Sequence, residues 1–116
     1  MVLEEIAKDI AKMLDSFGAK KVDLFDLTAK ETYTKYIVIC SSPNEETSQS
    51  FATALECYML EQHKISCFQK EGMHKGNWII LDFLNFVVHI MTDSQREKYK
   101  IDGLYKNVKK LVISIK

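Results

Sequence analysis

The sequence has no excess charge: sixteen basic residues meet sixteen acidic ones, and the pI is about 6.8. That balance excludes a global field drawing the chain onto nucleic acid or an anionic membrane, so any such contact must be local. Cysteine is sparse as well. Cys40, Cys57 and Cys67 cannot all pair, and their spacing fits no common zinc or redox signature. A reducing compartment follows. No run approaches the roughly 18 apolar residues of a membrane span. The N-terminus MVLEEIAKDIAKML has acidic residues at once, no arginine and no long uncharged apolar core, which is unlike a secretory or organellar leader. Repeats, low-complexity segments and linkers are missing too. The expectation is one cytoplasmic domain over 1–116, with a less defined tail at 107–116.

What is there is apolar patterning. Hydrophobic residues make up 47% of the 116, enough for a core without disulfide or metal staples. Leu3, Ile6, Ala7, Ile10, Met13 and Leu14 recur at helical spacing, and Gly18 sits where a left-handed helix stop belongs. Lys21 to Leu27 alternates as an outer strand does, while Tyr36 to Cys40 is an unbroken β-favouring run suited to a central strand. In Ser41-Ser-Pro-Asn-Glu45, Ser42 is a candidate cap, Pro43 suits the first helical position and Glu45 completes a capping box. Phe51, Ala52, Leu55 and Met59 mark the buried face of the helix that follows, which runs to about Gln62. Ile65 to Phe68 then reads as a strand, so strand, helix and strand predict a parallel, right-handed crossover.

The stretch from Gly76 to Met91 reads as two strands, Trp78 to Phe83 and Phe86 to Met91, joined at Leu84-Asn85. Asp82 then faces Val87, Leu81 faces Val88 and Ile80 faces His89. By the two-residue period, Ile79, Leu81, Phe83, Phe86, Val88 and Ile90 share one wholly apolar face. The opposite face carries Trp78, Ile80, Asp82, Val87, His89 and Met91. Its mixture of tryptophan, methionine, histidine and aspartate is the character of a protein interface around an aromatic anchor. Thr92-Asp-Ser-Gln95 predicts a second capped helix through Tyr99, then a loop or turn around Gly103. Alternating Leu111, Ile113 and Ile115 suggest a further strand.

Catalytic and ligand readings fare worse. Cys57, His63, Cys67 and His74 lack the close pairing by which zinc ligands fix two corners at once; two buried cysteines and two surface histidines explain them. Ser41-Ser42 lacks the glycines of a nucleophile elbow and the Gly-rich cradle and lysine of a phosphate loop. Asp23 and Asp26 are three apart, so they point to opposite faces of a strand and do not pair as metal-binding carboxylates. His89 has no evident nucleophile to serve. Lys106, Lys109, Lys110 and Lys116 make the tail basic. That is a solvated end, or a local contact to phosphate backbone in a larger assembly.

Glu71-Gly72, Gly76-Asn-Trp78, the strand Ile79 to Asp82, Val87-Val88-His89, Arg96-Glu97-x-Tyr99 and Leu104-Tyr105, together with Tyr36-Ile-Val-Ile-Cys40, resemble the Iojap or ribosomal silencing factor family. The resemblance runs from about residue 3 to 106. Leu84-Asn85 departs from the family's common Gly-Asp, Lys35 from a frequent Asp and Tyr105 from a common Trp. Leucine suits a positive φ poorly, so a turn wider than two residues is expected. The resemblance implies an α/β domain with a mixed sheet of about five strands and flanking helices, nucleotidyltransferase-like but without a working active site or cofactor. It further implies binding to the large ribosomal subunit, chiefly large-subunit ribosomal protein fourteen, so that small-subunit joining is blocked and translation repressed. Contacts to ribosomal RNA are at most peripheral, and the free chain is a monomer or a homodimer. Trp78, Asp82, Phe83, His89, Met91 and Tyr99 are the expected partner-binding residues. The alternatives are a ribosome assembly factor and a transferase using Asp23, Asp26 or Asp82.

Overall fold

Residues 3–113 are described in the computed structural model. Helix α1, Leu3–Phe17, buries Ile6, Ala7, Ile10, Ala11 and Leu14, the stripe that its periodicity marks. It stops at Gly18, whose φ of 110° few other residues tolerate and whose N–H donates to the Asp15 carbonyl at 2.9 Å. Strands β1 (Lys20–Asp26) and β2 (Tyr36–Ser42) pair antiparallel, with a bulge between Lys20 and Asp23 where Lys21 takes a φ of 49°. All seven β2 residues are buried, because helices cover both sides of the sheet there.

Helix α2 (Glu45–His63) leads to β3 (Gln69–Glu71), the hairpin β4 (Trp78–Asp82) and β5 (Phe86–Thr92), helix α3 (Asp93–Tyr99), a 3-10 turn at Ile101–Tyr105 and β6 (Lys109–Leu111). The six strands lie in the order β3-β4-β5-β2-β1-β6. The β2–β5 pair is parallel and every other pair antiparallel, so the sheet is mixed and has one strand more than expected. Against one face, α1 and α2 pack on Leu24, Val38, Cys40, Ile79, Leu81, Phe83, Phe86, Val88 and Ile90. On the other, Phe25, Leu27, Ile37, Ile39 and Met91 form a smaller cluster with Ile101.

Several local expectations are corrected. Ile65 to Phe68 forms no ladder; Ile65 and Cys67 pack against the core, and the strand falls one step later at exposed Gln69–Glu71, antiparallel to β4. The parallel partner of β2 is therefore β5, reached through α2, β3 and β4. The cap of α2 is Asn44, whose side chain accepts from the Thr47 N–H at 2.8 Å. Ser42 is the last residue of β2, and its hydroxyl instead meets Ser48 and the Asn44 carbonyl. Thr92 precedes α3 as expected but makes no side-chain capping bond. Strand β1 lies inside the sheet, since β6 adds outside it; Ile115 lies outside the described residues. Cys57 is exposed and Cys67 half-buried, where both were expected inside.

Candidate partner-binding face

The hairpin register is the one its pattern predicts: Ile80 opposite His89, Leu81 opposite Val88, Asp82 opposite Val87. Leu84, however, adopts a φ of 76°, so the turn stays at two residues. The Asp82 carboxylate accepts the Leu84 N–H at 2.8 Å, and the Asn85 N–H donates back to the Phe83 carbonyl at 3.0 Å, closing the ring of a γ-turn around Leu84. Asp82 thus holds a leucine in a conformation that glycine usually supplies. That gives the acidic residue of the hairpin a structural task.

Pairing across β3, β4, β5 and β2 places Glu71, Ile80, His89 and Ile39 in one row, and Gln69, Asp82, Val87 and Ile37 in the next. Helix α3 and the 3-10 turn cover only the Ile37, Ile39 and Met91 end of this face. Trp78, Ile80, Asp82, Val87 and His89 remain half-buried, and the β3 residues are exposed. The result is an open apolar and aromatic strip with a polar edge.

Trp78 stands at the border between the strip and the cluster below. Its indole lies 5.3 Å from the Tyr99 ring of α3, centroid to centroid, and its Nε1–H donates to His89 Nδ1 at 3.1 Å. Tyr99 is 50% exposed and carries the Lys98 amine 5.4 Å from its ring centroid. Burial pushes the His89 imidazole down to about 4, so it is neutral at ordinary pH. The loop before Trp78 needs its glycine: a Cβ on Gly72, whose φ is 79°, would meet the Trp78 carbonyl oxygen at 2.1 Å. From α2, Gln49 Nε2 donates to the Met73 and His74 carbonyls at 2.8 and 3.2 Å and so ties down the same loop.

Of the six expected contact residues, Trp78, His89 and Tyr99 come together here, and Asp82 lies at the turn end of the same face. Phe83 and Met91 do not. Phe83 is 3% exposed and turned to the α1–α2 side, and Met91 is 0% exposed beneath α3, so both support the face from below. Met91 shares the Trp78 face in register; its burial comes from a helix that folds back over the strand it has just left.

Arg96 is the organising residue that composition and periodicity leave unmarked, although it stands in the motif quoted above. It is 7% exposed, and its guanidinium donates to Asp102 at 2.6 and 3.2 Å, to Asp23 at 2.7 Å, to Ser41 Oγ at 3.2 Å and to the Lys21 carbonyl. One side chain thereby ties α3 to β1, β2 and the 3-10 turn. An arginine on the inner side of a short helix, with aspartates at distant positions, was the available signal. Lys110 adds a 2.9 Å ion pair to Asp23, so this member of the basic tail is engaged within the chain, and Lys116 lies outside the described residues. Asp26 instead accepts from the Thr28 N–H and hydroxyl. His63 bonds Asp9 at 2.7 Å, and Asp9 also accepts from Tyr58 at 2.6 Å. Among the described residues no group of three or more His, Cys, Asp or Glu is arranged to hold a metal. Ser41 and Ser42 are each 1% exposed, out of reach of a substrate.

The chain is similar to several known proteins in sequence and in structure. It is 26% identical over 98 residues to the ribosomal silencing factor RsfS of Haemophilus influenzae, covering 83% of this chain and 93% of that protein. To the Bacillus subtilis protein of the same name it is 22% identical over 102 residues, covering 88% and 86%. It is also 26% identical over 102 residues to the mouse mitochondrial assembly of ribosomal large subunit protein 1, covering 83% of this chain and 43% of the mouse protein. A crystal structure from Chromobacterium violaceum superposes with a TM-score of 0.83 at 20% identity, covering all of this chain and 95% of the other. One from Bacillus halodurans gives 0.79 at 19% identity, covering 95% and 99%. Both share the fold. The family model described as "Ribosomal silencing factor during starvation" matches residues 2–115, so the chain belongs to the ribosomal silencing factor family.

Proposed function

We propose that this chain binds the large ribosomal subunit through large-subunit ribosomal protein fourteen and, by occupying the surface the small subunit needs, keeps the two subunits apart and represses translation in the cytoplasm. The observation that carries the reading is the strip of Trp78, Asp82, His89 and Tyr99, left open on one side of the sheet within a family match over residues 2–115. A half-buried aromatic beside a neutral histidine, with the Asp82 carboxylate on the same face, suits a protein contact better than a phosphate backbone. Ribosomal RNA contacts are accordingly peripheral.

Steric exclusion needs affinity and placement only. A ligand of the free large subunit shifts the joining equilibrium by RT ln(1 + [L]/Kd), about 2.7 kcal/mol at a hundredfold excess over Kd. An interface of roughly 1,600 Å² with a central aromatic provides such affinity. Each carboxylate that a transferase would use is otherwise occupied: Asp23 with Arg96 and Lys110, Asp26 with Thr28, Asp82 with the hairpin turn. That favours a binding protein over an enzyme. The test is pelleting with purified large subunits, followed by crosslinking from position 78. A crosslink to protein fourteen is expected; pelleting with small subunits alone refutes the reading.

A second reading is that the chain acts during large-subunit assembly, favoured by the name of its mouse relative. It is separated from the first by preference for precursor particles over mature subunits.

A further inference from the structure

The contact between Trp78 and His89 has a direction. A ring nitrogen that accepts the indole N–H cannot itself carry a proton, so the neutral imidazole holds its proton on Nε2. Among the described residues Nε2 has no partner, and no buried side-chain nitrogen or oxygen there is left without one. The Nε2–H therefore reaches solvent on the open face. Its surroundings there are lopsided. Glu71 stands two strands away in the same row and Asp82 diagonally across β4, while the cation at the border, Lys98, sits over Tyr99. Two nearby carboxylates disfavour an anionic group opposite His89.

We propose that Trp78 is a positioning residue which locks His89 in the Nε2–H tautomer, and that His89 presents this N–H as a fixed donor to a neutral carbonyl oxygen of the protein partner. The proposal rests on the reading that this face meets the partner. It differs from the view of Trp78 as contact area alone, under which phenylalanine would serve nearly as well. A donor that is already oriented loses little freedom on binding, and a partner without an acceptor would leave it unpaired on desolvation.

The experiment uses the full chain and two variants. In the wild type, nitrogen spectra of the imidazole show the Nε2–H tautomer; in Trp78→Phe, which keeps an aromatic ring but loses the indole N–H, the two tautomers become mixed. Binding of Trp78→Phe to purified large subunits weakens about twofold, since about half of the imidazole then carries its proton on the wrong nitrogen. His89→Leu, which offers the partner no donor, weakens binding about five- to tenfold, the worth of one hydrogen bond. An Nδ1–H tautomer in the wild type, or unchanged binding in His89→Leu, overturns the proposal. If the wild type binds no large subunits, the partner half falls together with the functional reading. The spectra of the free protein still decide the positioning half independently.

Discussion

Replacing Arg96 by methionine keeps the length and the apolar stem of the side chain but removes the guanidinium. Asp102 then loses both of its bonds, Asp23 keeps only Lys110, and the Ser41 hydroxyl and Lys21 carbonyl lose a donor. Breaking a buried pair from one side costs about 3 to 5 kcal/mol. The lower figure applies here, because the Asp102 side chain is 40% exposed and Asp23 retains a cation. A loss of about 3 kcal/mol, with a urea slope of about 1.5 kcal/mol/M, moves the denaturation midpoint by about 2 M. The melting temperature falls by about 12 °C. The chain's one tryptophan reports on the same event, because Trp78 rests on Tyr99 at the end of α3. Its emission should shift to the red in the native baseline of Arg96→Met as α3 loosens. A midpoint shift below about 0.5 M at unchanged slope would show that the arginine does not tie α3 to the sheet, and that the α3 side of the face is held by apolar packing alone.

Gly72→Ala should destabilise by at least about 1 to 2 kcal/mol from the left-handed backbone alone, and by more from the clash with the Trp78 carbonyl, read as a lowered melting midpoint. Trp78→Ala should cost about 2 kcal/mol of binding, or roughly thirtyfold in Kd, with a smaller loss of stability than the 3 to 5 kcal/mol of a fully buried tryptophan. Subunit pelleting and urea melts on one preparation separate the two. Because His89 folds with its pKa lowered to about 4, folding favours its neutral form, and its contribution to stability is complete above its unfolded value and declines as pH falls from about 6.5 towards 4. His89→Gln should flatten that part of the profile, and parallel wild-type and variant curves would contradict it. Calorimetric titration with magnesium and nucleoside triphosphates should give no heat of binding, since Asp23, Asp26 and Asp82 are each engaged within the fold; micromolar binding lost in Asp82→Asn would revive the transferase reading.

Elements whose pattern alone decides their burial were legible in the sequence. Helix α1 follows its apolar stripe to the glycine stop, and the hairpin register follows from period-two alternation about a short turn. Elements decided by distant partners were not. Strand β3 is a polar edge of three exposed residues, which no core face requires to be apolar, while the apolar residues before it satisfy themselves by packing without a ladder. Ser42 lost the capping role to Asn44 because β2 runs through it and turns its hydroxyl towards Ser48. The open face was legible as a surface, since its residues share one side of the hairpin. Its lower limit was not: only the fold-back of α3 buries Met91, and only the hydrogen bond from Trp78 gives His89 a direction.

The central claim is that this chain holds ribosomal subunits apart by occupying the large one. Its most direct test is the sedimentation profile of purified small and large subunits under joining conditions, with and without the protein in excess. The account predicts that the peak of joined ribosomes falls, that the protein travels with the free large subunits, and that Trp78→Ala, at the same concentration, lowers the joined peak less. An undiminished joined peak with the protein left at the top of the gradient would contradict it.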